Sequence, residues 1–381
     1  MLEDNKKTKV IVGLSGGVDS SVCCKLLLDM GYDVEGMFMR NWDSLLNNDI
    51  LGNPNDLLDV CPQEKDYMDA LSVANQLNIK FHRVDFVKEY WDNVFEYFLN
   101  EYKKGRTPNP DVMCNRYIKF DSFKIEAMKK GAQKIAMGHF AITKVIDGVT
   151  HLYKGVDKNK DQSYFLSMTK RSELDNAIFP LGNMTKKEVR EIAKDMNFIT
   201  ANKKDSTGIC FIGERNFSKF LSNYLPNQEG NIVSLDNKVI GKHYGLMNYT
   251  IGQRKGIGIG GLKDNKTNLP WFVVGKDLEK NELIVGQGKD NELLYSDCCI
   301  IEDVNIINMP KSKDIYGKFR YRAQDEKIHI EFLDNNEAKV TYNHVKSVTP
   351  GQILVLYGED EECYGGGIIK EVYYKNVKRK Y

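Results

Sequence analysis

Short apolar runs alternate with longer stretches of helical periodicity through the first half of the chain. Val10, Ile11 and Val12 form a β-branched run that breaks into glycine and serine and restarts at helical spacing from Val22 to Met30. This is the pattern of a buried strand, a tight loop and a helix. Gly31 closes that helix, and Val34 to Met39 reads as a second strand. Helical stretches follow at Asp66 to Leu77, Glu89 to Tyr102 and Asn115 to Lys130, with strands at Lys80 to Asp85 and Lys134 to Gly138. Such order predicts an α/β domain on a doubly wound parallel sheet, with ligands at the carboxyl ends of the strands. Gly13 to Ser20 follows the first strand, Met39 the second, Asp85 the third and Gly138-His139 the fourth.

Thr185 to Met196 reads as a further helix, with Thr185 and Glu188 spaced as a capping box. Beyond about Lys219 the pattern changes to short β-like segments separated by glycine, at Lys238 to Gly261, Trp271 to Lys276 and Leu283 to Val285. These predict a small, mostly β central domain. From about Asp297, segments at Cys298 to Ile307, Ile315 to Arg322, Lys327 to Phe332, Ala338 to Tyr342, Gln352 to Tyr357 and Cys363 to Tyr373 predict a C-terminal β-barrel. The expected domains are residues 1–218, 219–296 and 297–381.

A chain of 381 residues accommodates two or three such cores. Its 54 basic and 53 acidic side chains nearly cancel, so any nucleic-acid binding must use local patches. No apolar run approaches a membrane span and the first residues are too polar for a signal peptide, which predicts a cytoplasmic protein without a membrane partner. The eight cysteines include no CxxC pair, against both a disulfide scaffold and a ribbon-type zinc site; no metal-ligand set is expected. Cys23, Cys24, Cys298 and Cys299 fall in apolar runs and read as small buried hydrophobes, whereas Cys61 and Cys363 lie in acidic, loop-like surroundings.

The glycines at positions 13, 16 and 17 permit a tight turn and close approach of a ligand, and Asp19 and Ser20 suit the start of the helix behind them. A helix N-terminus behind such a loop favours an anion. The loop is neither a Walker A sequence nor GxGxxG. Ser15-Gly16-Gly17-Val18-Asp19-Ser20 instead resembles the SGGxDS loop of ATP pyrophosphatases, the alternative being an ordinary turn between strand and helix. In GRTPNPDVMCN, residues 105–115, two prolines flank an asparagine, so the backbone is expected to stay extended until a helix begins at Asn115. Cys114 would then sit at or just before that helix N-terminus, where a thiol of ordinary pKa about 8.5 is shifted toward thiolate. Cys210 lies in KKDSTGICFIGERNF, and by pattern alone reads equally as an inert core thiol.

With the loop and these two cysteines, the chain resembles the bacterial tRNA-specific 2-thiouridylases, which place sulfur on C2 of the wobble uridine. The likeness spans nearly the whole chain through GLSGGVDSS, NPDVMCNRYIKF, GHFA, KDQSYFL, DSTGICFIGER and YTIGQRKGIG. It implies an adenine-nucleotide α-hydrolase-like (Rossmann-like) catalytic domain in which Gly13, Leu14, Ser15, Gly16, Gly17, Val18, Asp19, Ser20, Met39 and Gly138 hold ATP. By the same resemblance Asn109, Pro110 and Asp111 lie near the target base, and Asp161, Gln162, Ser163, Tyr321 and Arg322 contact the tRNA anticodon stem-loop. Cys210 resembles the cysteine that carries a persulfide, and Cys114 the one that completes sulfur transfer. A cysteine desulfurase or persulfide relay protein is the implied sulfur donor. Phe140 stands where the family pattern leads one to expect tyrosine.

The chemistry implied is adenylation of the uridine C2 oxygen, release of pyrophosphate, and displacement of AMP by sulfur. Mg²⁺ would neutralise the triphosphate, with Asp19 helping to hold it or serving only as a helix cap. Basic residues at Lys103, Lys104, Arg106, Arg320, Arg322, Lys375, Lys378, Arg379 and Lys380 are candidate phosphate contacts or plain solvated charge. The rival readings are an ammonia-using synthetase on the same loop, and an iron–sulfur-dependent tRNA thiolase.

Overall fold

The computed structural model describes residues 5, 7–49, 62–205, 216–259 and 269–380. Strands β1 (Lys9–Gly13), β2 (Asp33–Arg40), β3 (Lys80–Asp85), β4 (Lys134–Ala136) and a short pair of residues, Ala177–Ile178, form one sheet. All its pairings are parallel. Alternation along β1 divides its side chains between two cores. Val10 and Val12 pack with helix α1 (Val18–Asp29) through Val22, Cys23, Cys24 and Leu27. Helix α2 (Pro62–Gln76) joins the same core through Ala70, Val73 and Ala74. Ile11, Met37 and Met39 face the opposite core, built with two long helical runs, α3 (residues 87–103) and α4 (residues 110–129), each with a π-helical stretch inside it. Helices on both faces are what doubly wound topology requires, since a buried parallel strand must cover both of its sides.

Two differences from the sequence reading lie in this domain. Helix α4 begins at Pro110, not Asn115: Asn109 is its N-cap, accepting a hydrogen bond from the Val112 N–H, and proline occupies the first turn. The fixed φ of proline suits that position, so the stiff segment ends five residues earlier than its prolines imply. The second difference is a hairpin, β5 (Ala141–Ile146) and β6 (Val149–Lys154), turned by Asp147 and Gly148 with φ of 50° and 77°. It leaves the parallel sheet and pairs with the C-terminal barrel, Glu362 opposite Tyr153 and Cys363 opposite Leu152.

The central domain is a four-stranded sheet of β8 (Gly230–Ser234), β9 (Val239–His243), β10 (Trp271–Asp277) and β11 (Glu282–Gln287), the Ala177–Ile178 pair counting as β7. Among the described residues of the expected segment from Lys238 to Gly261 only Val239–His243 is strand, and β8 precedes the segments the pattern indicated. The C-terminal strands are β12 (Tyr295–Ile306), β13 (Asp314–Lys318), β14 (Glu326–Phe332), β15 (Ala338–Lys346), β16 (Ile353–Tyr357) and β17 (Glu362–Tyr374). Since β12 pairs with both β15 and β17, the six close into a barrel. β13 stops at Lys318 instead of reaching Arg322, because Arg320 turns back to bond Ile251 O and Ser347 O. Cys363, expected at the start of the last barrel strand but in acidic, loop-like surroundings, is a fully buried strand residue of β17. No described helix is long and apolar enough to cross a membrane.

Candidate active site

The loop after β1 is shaped by three close approaches. Gly16 has φ +75°, and a side chain there would fall on the carbonyl oxygen of Asp66. A Cβ on Gly13 would lie 2.5 Å from Met137 Sδ and 3.4 Å from Met39 Cε, and one on Gly138 would lie 2.9 Å from the Asp19 carbonyl carbon. The carboxyl ends of β1, β2 and β4 thus meet around residues 13–20. That is the crevice between β1 and β4, where strand order reverses and open α/β sheets bind ligands. Asp19 and Ser20 do not cap α1. Its N-cap is Gly17, with no side-chain cap bond, which leaves the first-turn N–H groups and the positive helix end facing the loop. The Ser20 hydroxyl instead braces the loop, taking the Ser15 N–H at 3.2 Å and donating to Gly17 O at 3.0 Å.

Around this loop sits a network of opposite charges. Lys186 Nζ lies 2.6 Å from Asp19 Oδ1 and 2.8 Å from Asp205 Oδ1. Asp205 also accepts from Lys160 at 2.6 Å and Arg190 at 2.8 Å. Lys203 donates to Gly16 O at 2.8 Å, Asp66 at 2.7 Å and Asp69 at 2.6 Å, tying the loop to α2. Burial raises the Asp19 carboxyl, with Lys186 offsetting it in part. For Asp205 burial acts the same way, but the bonds from Lys160 and Lys186 outweigh it and hold its pKa at about 2. Lys160, Lys186 and Lys203 were not among the residues expected to form the site. Only tertiary packing gathers them, on the helix Lys186–Asp195 (α5) and on segments far apart in the chain. Among the described residues no group of three His, Cys, Asp or Glu side chains could hold a metal ion.

Cys114 lies in the second turn of α4, fully buried, and not at or just before the helix N-terminus as its prolines led one to expect. It belongs to the same packed cluster as Met39 and Met137, the two methionines that meet Gly13. Asn109, Pro110 and Asp111 form the half-buried first turn ahead of it. Cys210 lies outside the described residues. Two groups at the same sheet edge were not foreseen as site residues. Asn41, just past β2, is fully buried with neither amide atom hydrogen-bonded among the described residues, and His139 Nδ1 is likewise unbonded. Burial pushes the His139 imidazole well below its ordinary pKa, and it packs against Phe120 and Phe179.

Sequence-family comparison matches residues 8–214 to a tRNA methyl transferase HUP domain, 218–287 to a tRNA methyl transferase PRC-barrel domain and 296–369 to an aminomethyltransferase beta-barrel domain. A protein of Acholeplasma laidlawii named tRNA-specific 2-thiouridylase MnmA is 54% identical over 98% of this chain and 100% of its own length. The chain belongs to the tRNA-specific 2-thiouridylase family. Proteins of the same name from Mycoplasma capricolum and Staphylococcus carnosus are 54% and 51% identical, over 96% and 97% of this chain and 99% and 97% of theirs.

In this thiouridylase-family chain the residues expected to touch RNA occupy two settings. Asp161 and Ser163 are buried and bonded internally: Asp161 accepts from the Gly155 and Ser163 N–H groups at 3.0 and 3.1 Å, and Ser163 Oγ lies 3.0 Å from the Tyr357 hydroxyl of the barrel. Gln162 accepts from the Phe140 N–H at 3.0 Å. Tyr321 packs against Phe165 with ring centres 4.4 Å apart and the rings tilted by 47°, and Arg322 beside it is exposed. The 161–163 loop and the Tyr321-Arg322 turn therefore meet where the catalytic domain joins the barrel.

Proposed function

We propose that this chain catalyses ATP-dependent 2-thiolation of the wobble uridine in a tRNA anticodon. The observation that carries the reading is the glycine loop at the carboxyl ends of β1, β2 and β4, with an uncapped helix N-terminus behind it, in a chain whose full-length relatives bear the thiouridylase name. The loop N–H groups and α1 receive the triphosphate, and Lys160, Lys186 and Lys203 supply positive charge around it. A triphosphate-bound Mg²⁺ would find one carboxylate at the loop, Asp19, and would supply further charge neutralisation.

Uridine C2 holds its oxygen as a carbonyl, which is not a leaving group. The C2 oxygen attacks the α-phosphorus of ATP, and the bond to pyrophosphate breaks. The terminal sulfur of a Cys210 persulfide then bonds to C2 as the C2–O bond to AMP breaks. The Cys114 thiolate attacks Cys210 Sγ and leaves the outer sulfur on the base, and the resulting Cys114–Cys210 disulfide takes two electrons from a thiol reductant to reset. A second route has Cys114 attack Cys210 Sγ first, breaking the Sγ–S bond so that sulfide leaves as the nucleophile and the same disulfide forms. A cysteine desulfurase or persulfide relay protein reloads Cys210. The anticodon loop presents its base unpaired, so it can be splayed into the crevice without melting a duplex. Residues 1–218 carry this chemistry, 219–296 form the small, mostly β central domain, and the barrel of 297–381 binds the tRNA.

The test is nucleoside mass spectrometry of tRNA incubated with the enzyme, ATP and a persulfide donor. Cys114→Ser and Cys210→Ser are each expected to abolish 2-thiouridine while leaving tRNA binding intact. Normal thiolation by either variant would overturn the proposal. Pyrophosphate release that proceeds equally with tRNA lacking a wobble uridine would favour the ammonia-using rival.

A further inference from the structure

Residues 105–108 join α3 to α4 without helix or strand of their own, yet other parts of the chain bond nearly all of their peptide groups. Gly105, at φ +75°, ends α3, its N–H donating to Tyr102 O at 2.9 Å and that of Arg106 to Glu101 O at 3.0 Å. The remaining bonds come from the two C-terminal domains. Lys276 of β10 donates to Gly105 O at 2.8 Å. The Thr107 N–H donates to Pro350 O at 2.9 Å, and Gln352 Nε2 donates to Thr107 O at 2.7 Å. Thr107 Oγ1 lies 3.3 Å from Thr250 Oγ1, and Arg106 pairs with Glu302 of β12 at 2.7 Å. Arg320 in turn joins Ile251 O at 3.1 Å to Ser347 O at 2.7 Å, locking the central domain to the barrel.

Lys276 is the informative member. It is buried in a strand that is otherwise mostly apolar, and Gly105 O is the one hydrogen-bond partner of its amine among the described residues. An apolar side chain there would pack without desolvating an amine, so packing alone does not account for a lysine. What the amine does is grip the backbone four residues ahead of the cap of α4.

We propose that residues 105–108 are a strut through which the central domain and the barrel set the position of α4, with Lys276 and Gln352 as positioning residues for the Cys114 chemistry. The inference rests on the reading that α4 serves the reaction. RNA seated on the C-terminal domains then aligns the Asn109–Asp111 turn and Cys114 through hydrogen bonds to the backbone, not through any catalytic group of those domains.

The experiment uses the full-length Lys276→Met and Gln352→Leu variants with an unmodified tRNA transcript bearing a wobble uridine. A misplacement of about 1 Å costs on the order of 100-fold in rate, so kcat for thiolation is expected to fall by about 10- to 100-fold. KM for tRNA and direct tRNA affinity should stay unchanged. In the wild-type enzyme, hydrogen exchange of residues 105–114 is expected to change when the transcript binds. Unaltered kcat in both variants, a loss confined to KM for tRNA, or wild-type exchange insensitive to tRNA would overturn the strut. An active Cys114→Ser enzyme would sink the functional reading; an inactive Cys114→Ser with fully active Lys276→Met and Gln352→Leu would sink the strut alone.

Discussion

Replacing Lys276 by methionine should stabilise the protein at neutral pH and destabilise it in alkali. Burial pushes the Lys276 amine down from 10.5 to about 7. At about 1.4 kcal/mol per pKa unit this corresponds to an upper bound of about 5 kcal/mol of native-state penalty when the group must be charged. Between about pH 7 and 10.5 the unfolded chain holds the proton and the folded chain does not, so folding releases a proton and stability rises with pH across that window. Below it both states are protonated and the penalty is complete; above it neither is and the penalty is gone. Methionine removes the whole dependence but leaves Gly105 O without its donor, a loss of about 1–3 kcal/mol. The variant should therefore be more stable near pH 6.5, by at most about 2–4 kcal/mol, and about 1–3 kcal/mol less stable near pH 10.5. Paired urea titrations at the two pH values measure this directly, since other tyrosines and lysines cancel in the difference. A difference that keeps one sign and size at both would refute a desolvated lysine. A variant more stable at neutral pH but catalytically slower would separate what Lys276 does for α4 from what it does for folding.

Three further outcomes follow from the site. Gly16→Ala forces a side chain into left-handed backbone at about 1–2 kcal/mol and against the Asp66 carbonyl, so the loop must shift; pyrophosphate-release kinetics should show a raised KM for ATP, and an unchanged KM would refute the assignment of the loop. Despite burial, ion pairing holds Asp205 at about 2, below an unfolded value of about 3.9. Its stabilisation is thus full above about pH 4 and lost as pH falls through about 2. Asp205→Asn should melt lower than wild type at pH 7, with the gap narrowing toward pH 3; a pH-independent gap would contradict the ion pairs. Arg322→Ala should flatten the dependence of log tRNA affinity on log salt by about 0.7 to 0.9, one phosphate contact, whereas an identical slope would place Arg322 off the RNA.

Local chemistry was legible wherever one short stretch determines it. The β1–loop–α1 unit shows in the sequence because β-branched residues, glycines and a helical period follow one another within about twenty residues. β3 lies where its pattern predicts, and Thr185 with Glu188 forms the capping box that their spacing predicts. The early start of α4 was also available, since Asn109-Pro110 is a cap followed by a first-turn proline; the second proline, at 108, masked it by signalling extended backbone. Asp147-Gly148 is likewise a hairpin signal. It was hidden because β5 and β6 serve a sheet whose other strands begin about 150 residues later.

What the pattern could not show is any feature assembled from remote pieces. Lys203 bonds Gly16, Asp66 and Asp69, and Lys186 bonds Asp19 and Asp205; in each case a single ammonium links segments from different elements, and a lysine in isolation reads as solvated charge. The same holds for Lys276, whose strand looks apolar and whose partner is a backbone carbonyl with no sequence signature. Long-range cation contacts therefore converge on two backbone carbonyls, that of Gly16 in the glycine loop and that of Gly105 in the strut. Both belong to glycines at positive φ, φ +75° in each case, where a carbonyl is turned out of its own element and into reach of a lysine. Such a carbonyl can be gripped only if the lysine arrives from elsewhere in the fold, which makes the placement of the glycine loop and of the Cys114 helix a property of the assembled chain and not of either motif alone.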